Sequence, residues 1–118
     1  MAQLGSVSPV WAVRDIAPMR DALVEQFGFH VQGEAGDPPV WTSVMRDVVE
    51  IMLIAGDHPQ PAQDWAAYVF VDDVDALYEE ALGRGAEICG PPADKPYNCR
   101  EFAARLPDGR LIAFAGTM

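Results

Sequence analysis

Apolar and polar residues alternate along this chain in one order that occurs twice. Runs rich in β-branched and aromatic residues, over 7–13 and 66–71, predict one strand near the start of each half. Each run precedes apolar residues at helical spacing, and these stretches end near Gly28 and near Gly85. Because the matching features lie about half a chain length apart, we predict two copies of one structural unit.

Three further strands are predicted after each helix. Prolines and tight turns separate them, with turns at Arg46-Asp47 in the first half and at Pro107-Asp108-Gly109 in the second. The predicted strands lie near 29–33, 40–46, 48–55, 87–90, 100–106 and 110–115. The order β-α-β-β-β therefore occurs twice, which predicts an α+β protein.

The repeats divide one domain rather than two. They span about 6–55 and 65–116, and the linker 56–64 is too short to be more than a tether. A chain of 118 residues has the size of a single domain, here 1–118. Half of its residues are hydrophobic and 22% are charged, which is the composition of a globular protein and excludes a disordered chain.

Four segments give the chain its resemblance to a known family. They are Pro9-Val10-Trp11-Ala12-Val13-Arg14-Asp15, Phe27-Gly28-Phe29, Val71-Asp72-Asp73-Val74-Asp75-Ala76-Leu77-Tyr78, and Arg100-Glu101-Phe102 with Pro107-Asp108-Gly109. The chain resembles the glyoxalase/bleomycin-resistance/extradiol-dioxygenase superfamily, also called vicinal oxygen chelate proteins. The resemblance implies two βαβββ modules that form cupped mixed sheets, with the helices on the outer face and the ligand in front. It also implies that modules pair across a two-fold axis in a homodimer, in some members by swapping.

The resemblance also implies where a metal would be held, namely on the first and last strand of each module. The matching positions here are Ser8, Glu50, Ala66 and Ala113. Only Glu50 could hold a divalent ion, whereas catalytic metal sites usually keep three protein ligands. We therefore expect no metal and no other cofactor, and we do not expect metal-dependent glyoxalase or dioxygenase chemistry.

The inner face of the predicted cup supplies the candidate ligand-binding residues. Alternation along the strands directs one apolar face toward the helices and a second apolar face into the cup, where a partner subunit or a ligand must cover it. A homodimer follows. The candidate ligand-binding residues are Trp41, Glu50, Met52, Trp65, Tyr68 and Phe102. Ordinary packing is the alternative for the aromatic residues.

Two roles are open for Glu50. It could pair with Arg46, Arg100 or Arg105, in which case it is structural. If it is unpaired and desolvated, its pKa should rise, which would suit a proton-transfer base or a counter-charge for a cationic ligand.

The net charge limits the binding partners that we expect, and sequence signals and cysteines bear on the expected cellular compartment. Eighteen acidic residues against eight basic ones give a net charge of −10, which disfavours nucleic acid and anionic membranes and attracts a cationic ligand. A plain solubilising role for this charge is the alternative. No secretory signal or membrane-spanning run is recognisable. We therefore expect a cytoplasmic protein, in which Cys89 and Cys99 should be reduced, partly buried thiols. A disulfide or a nucleophilic thiol is the alternative.

Two functions are compatible with these features. The first is a metal-free small-molecule binding protein of the bleomycin-resistance type, which sequesters an antibiotic or a related cationic or aromatic metabolite in an apolar cleft at the dimer interface. The alternative is a metal-independent enzyme of the lyase or isomerase type that uses Glu50 as its general base. In both cases the expected partners are a small molecule and a second copy of the chain.

Overall fold

The computed structural model describes residues 2–57 and 65–117, and these form an α+β fold. Residues 58–64 of the predicted linker lie outside the described residues. The elements are β1 (Val10–Val13), α1 (Ile16–Phe27), β2 (His30–Ala35), β3 (Trp41–Arg46), β4 (Val49–Ala55), β5 (Trp65–Phe70), α2 (Val74–Gly83), β6 (Glu87–Ile88), β7 (Ala93–Asp94), β8 (Cys99–Arg105) and β9 (Leu111–Thr117). The predicted α+β class is confirmed.

Two mixed sheets share one topology. The first has the strand order β1-β4-β3-β2 and the second has β5-β9-β8-β6, with β7 paired to β8. In each sheet the first strand is parallel to the last strand of its module, and the remaining pairs are antiparallel. The second sheet departs from the prediction at one edge. A strand was predicted over 87–90, but β6 covers only Glu87–Ile88, and the extra strand β7 follows the Pro91-Pro92 break.

Three helix termini, the two of α1 and the start of α2, carry residues that suit their positions. Helix α1 carries Pro18 in its first turn, where a missing N–H costs no hydrogen bond. It ends at Gly28, whose φ of 74° lies in the left-handed region that glycine adopts without strain. Helix α2 begins after Asp73, whose carboxylate accepts a hydrogen bond of 3.0 Å from the Ala76 N–H.

One apolar core joins the two modules. It takes one face of each sheet and the buried sides of both helices. The Phe27 ring from α1 stacks on the Phe114 ring from β9, with centroids 5.4 Å apart. At the edge of this core, Arg46 donates to the carbonyl of Phe27 at 2.7 Å and to the Glu80 carboxylate of α2 at 2.8 Å. The modules are therefore held to each other by packing and by a charged contact.

The opposite face of each sheet carries no helix in the described residues. Strand register places on the first cup face Val10, Trp41, Ser43, Glu50, Met52 and Ile54. Register places on the second cup face Tyr68, Phe70, Glu101, Ala103, Ala113 and Ala115. Several large apolar side chains are exposed here, and Phe70 retains 69% of its accessible surface. The predicted division into a core face and an open apolar face is confirmed for most strand positions.

A register shift in β5 changes the expected division. The resemblance assigned Ala66 to a metal-ligand position of the cup, but an irregularity between Trp65 and Ala67 interrupts the alternation that would turn it there. Ala66 and Ala67 are both partly buried against the core.

No helix in the described residues is long and apolar enough to span a membrane.

The core makes a prediction about stability. Leu23 on α1 is fully buried, so Leu23→Ala should lower the free energy of unfolding by about 2–5 kcal/mol through lost transfer energy and a residual cavity. Urea denaturation measures the change. The control is Leu82→Ala on α2, which deletes the same atoms at a side chain that is 48% exposed, and it should stay within about 0.5 kcal/mol of wild type. Equal effects of the two variants would contradict the assigned core.

Candidate ligand-binding site

Glu50 lies on the first cup face with three neutral hydrogen-bond donors. Ser43 Oγ donates to Oε2 at 2.6 Å, and Ser8 Oγ donates to Oε1 at 2.5 Å. Gln32 Nε2 adds a bond of 3.2 Å to Oε2. Gln32 lies at the register shift of β2 between Val31 and Gly33, and alternation from His30 directs it to the face that carries Glu50.

These donors lower the pKa of Glu50 below its ordinary value. The Ser43 hydroxyl contributes most, followed by Ser8, while partial desolvation acts in the opposite direction. The condition on which we expected a raised pKa, an unpaired and desolvated Glu50, does not hold, since the carboxylate accepts three hydrogen bonds. The carboxylate form is stabilised at neutral pH, so this group is a weak proton acceptor.

The expected arginine partners of Glu50 are engaged elsewhere. Arg46 binds Glu80, Arg105 donates to the carbonyl of Gly109, and Arg100 pairs with two aspartates. Glu50 was predicted to pair with an arginine if its role is structural. It is held instead by hydroxyl and amide donors.

The positions that the resemblance assigns to metal ligands do not fit a divalent cation. Ala66 and Ala113 offer no donor atom, and both oxygens of Glu50 already accept hydrogen bonds from hydroxyl groups. Within residues 2–57 and 65–117, no three His, Cys, Asp or Glu side chains come close enough together to hold a metal ion. A lone carboxylate beside Ser8 falls short of the ligand set that catalytic metals need.

Aromatic side chains form the wall of the second cup face. The rings of Trp65 and Tyr68 are 4.8 Å apart between centroids, and the Phe70 ring meets Tyr68 edge-on at 5.4 Å. Three positions apart on a regular strand, Trp65 and Tyr68 would face opposite ways, but the register shift after Trp65 brings their rings together. Trp65 remains 48% exposed, so its ring can accept a ligand.

Glu101 is a further polar residue of this face that the sequence analysis missed. The residue as a whole is only 5% exposed. Tyr68 Oη donates to Glu101 Oε1 at 3.0 Å, and Tyr97 Oη donates to the same oxygen. Glu101 lies opposite Ala115 on β9, and this register, which the sequence alone does not give, places it on the cup face.

The phenols beside Glu101 stay protonated over a wide pH range. Hydrogen bonding to Glu101 is the main cause that raises the pKa of Tyr97 to about 12. Desolvation is the main cause that raises the pKa of Tyr68, and the neighbouring Cys99 and Glu101 add to it. Both groups therefore act as hydrogen-bond donors at neutral pH.

Phe102 does not belong to the cup. It was predicted to bind ligand, but it is only 3% exposed and lies on the core side of β8. Its ring meets Tyr78 at 5.6 Å and Phe114 at 5.4 Å. The physical reason is register, because Phe102 lies directly opposite Phe114, which already packs on the helices, and side chains on one strand alternate between faces.

The remaining predicted residues fall into two groups on different sheets. Trp41, Glu50 and Met52 share the first cup face, and Trp65 and Tyr68 share the second. A cavity of about 290 Å³ lies on the second cup face. Its polar and aromatic lining consists of Trp65, Cys89, Lys95, Tyr97 and Glu101.

Cys89 and Cys99 are free thiols, and Cys89 is exposed rather than partly buried as expected.

A family model identifies the class of protein that this fold and site define. The model described as Glyoxalase/Bleomycin resistance protein/Dioxygenase superfamily matches residues 6–114. The chain belongs to this superfamily, as the sequence resemblance predicted. A search of curated proteins gave no significant match.

Solved structures with the same fold include antibiotic-binding proteins. One is the bleomycin-binding protein of Streptomyces verticillus in complex with copper(II)-bleomycin, at 24% identity, with both chains covered over 100% and a TM-score of 0.80. Another is TnmS3, an antibiotic-binding protein from Streptomyces sp. CB03234, at 23% identity, coverage of 99% and 100%, and a TM-score of 0.77. A third is a bleomycin resistance determinant encoded on transposon Tn5, at 19% identity, coverage of 97% and 98%, and a TM-score of 0.79. At these identities the likeness establishes the fold.

The donors around Glu50 make a prediction about its titration. Ser43→Ala removes the hydrogen bond that contributes most to the lowered pKa, so the pKa of Glu50 should rise. Carboxyl ¹³C chemical shifts followed against pH measure this change. Because the folded-state pKa is lowered, the stabilisation by these bonds is present at neutral pH and is lost as the pH falls through it.

The control for this titration is Ser6→Ala. Ser6 is exposed, and its replacement deletes the same hydroxyl group without touching the Glu50 carboxylate. It should leave the pKa of Glu50 where it is in wild type. An unchanged pKa in Ser43→Ala would show that the lowered value has another cause.

Proposed function

We propose that the protein is a metal-free small-molecule binding protein of the bleomycin-resistance type. It sequesters an antibiotic or a related cationic or aromatic metabolite in an apolar cleft. The observation that carries this proposal is the exposed aromatic wall of the second cup face, where Trp65 and Tyr68 lie together beside a cavity and a buried carboxylate. Sites of this composition are typical of small-molecule binding.

Binding is favoured over catalysis by the state of Glu50. The enzyme alternative requires Glu50 to accept a proton near neutral pH, which suits a raised pKa. Its pKa is lowered instead, and both of its oxygens are occupied by hydroxyl donors. In our proposal this carboxylate therefore holds the cup residues Ser8 and Ser43 in place and adds negative charge to the wall.

The fold neighbours support the same function without deciding it. Proteins of this fold bind bleomycin or other antibiotics, although they share less than a quarter of their residues with this chain. The net charge of −10 favours basic ligands, since it raises the local concentration of cations. We place the protein in the cytoplasm, where two free thiols are stable.

A homodimer completes the proposed cleft. Val10, Ile54 and Phe70 are 54%, 37% and 69% exposed on the cup faces, which is much apolar surface for a lone subunit. Pairing one cup with another across a two-fold axis would cover this surface and enclose the ligand.

Calorimetric titration tests the binding function. Bleomycin-type, mitomycin-type and peptide antibiotics are titrated into the protein, and we expect at least one class to bind. Trp65→Ala should weaken that binding about 3- to 10-fold, because one stacking contact is lost. The control Leu82→Ala removes an exposed side chain from helix α2 and should bind as wild type does. Absence of heat with every class, together with no gain in resistance on expression, would remove the proposal.

Light scattering after size-exclusion chromatography tests the dimer. Wild type should elute with twice the mass of the 12.8 kDa chain. Phe70→Glu places a charge in the apolar face and should shift the protein to the monomer mass, since burial of an unpaired charge is unfavourable. Leu82→Glu makes the same change on helix α2 and should remain dimeric. A monomeric wild type, or a dimeric Phe70→Glu variant, would contradict the assigned interface.

A further inference from the structure

Glu101 is a buried carboxylate that has no cationic partner among the described residues. It is 95% buried, yet the ion pairs within residues 2–57 and 65–117 do not include it. The neighbouring Arg100 faces the other way and pairs with Asp75 and Asp94. Buried charges in proteins are normally paired, because removing a carboxylate from water is costly. This residue therefore stands out from the other acidic groups of the chain.

The two phenols that bind Glu101 leave one oxygen of the carboxylate, Oε2, free to accept a hydrogen bond from a ligand. Both Tyr68 and Tyr97 donate to Oε1. Within the described residues, Oε2 receives no hydrogen bond from a side chain and is not among the fully buried polar atoms that lack a partner. Glu101 lines the 290 Å³ cavity together with the rings of Trp65 and Tyr97. A group that enters this cavity meets a carboxylate flanked by aromatic rings.

We propose that this cavity binds an organic cation, with Glu101 as its counter-charge and Trp65 and Tyr97 as its aromatic walls. The proposal rests on the proposed small-molecule binding function and names the chemical class of the ligand. A protonated amine would donate to Glu101 Oε2, and its alkyl or aryl part would lie against the rings. Aromatic faces attract cations, and the attraction is stronger where water is excluded.

The surroundings favour an organic cation over a metal ion or an anion. A single carboxylate with neutral phenols offers too few ligands for a divalent metal, and no cluster of metal-binding side chains forms in the described residues. An anion would be repelled by Glu101. Lys95 is the one cationic side chain in the described lining, and it makes no ion pair within 4.0 Å there. Its positive charge repels a bound cation. Removal of this charge should therefore strengthen cation binding, whereas removal of the Glu101 charge should weaken it.

A matched pair of probes tests the proposal on the full-length protein. 1-Naphthylmethylamine is cationic at neutral pH, whereas 1-naphthalenemethanol has nearly the same shape and no charge. By calorimetry, the amine should bind wild type at least about tenfold more tightly than the alcohol, because of the charged hydrogen bond and the ring contacts. Glu101→Gln should abolish that preference while the alcohol binds as before.

Two further variants separate charge from folding. Glu79→Gln removes one negative charge from an exposed site on helix α2 and should keep the preference for the amine. Lys95→Ala should increase the preference, which a damaged pocket could not do. If wild type binds both probes equally, the cation proposal fails while the antibiotic-binding function stands. If neither probe binds, the cation proposal fails as well, and the antibiotic titration decides the binding function by itself.

Discussion

The structure depends on a single apolar core that both modules share. Each sheet gives one face to this core, and both helices lie against it, so Phe27 of the first module stacks on Phe114 of the second. No helix among the described residues is then left to cover the other face of either sheet. The open cup faces are thus a direct result of how the core is built, and their exposed apolar side chains follow from it.

The two carboxylates of the cup faces are stabilised in different ways. Glu50 lies at the surface of the first sheet and is satisfied by hydroxyl and amide groups, which lower its pKa and make it structural. Glu101 is buried in the second sheet, and both phenols that bind it donate to one oxygen. The repeat thus has one backbone plan but two chemically distinct faces. This difference is why our proposed function places ligand recognition mainly on the second face.

The sequence predicted the order of the elements better than the composition of the site. The end of α1 at Gly28 and the apolar stripes of both helices are local signals, so they were predicted without a structure. Phe102 was placed in the cup and Glu101 was missed, because adjacent residues on a strand face opposite ways and only the pairing of β8 with β9 decides which one enters the cup. The bulge in β2 between Val31 and Gly33 has no sequence signal that we recognise, since bulges arise from the pairing between strands.

Arg46 lies on β3 and links the end of α1 to helix α2. The other face of β3 forms part of the first cup face. The Arg46 guanidinium binds the Phe27 carbonyl and the Glu80 carboxylate at once, a two-point contact that a lysine ammonium would hold less rigidly. The wall formed by β3 is consequently fixed against both helices before any ligand arrives. Preorganisation of this kind means that the conformational entropy of the wall is lost during folding, so that in the proposed function a bound ligand need not order it again.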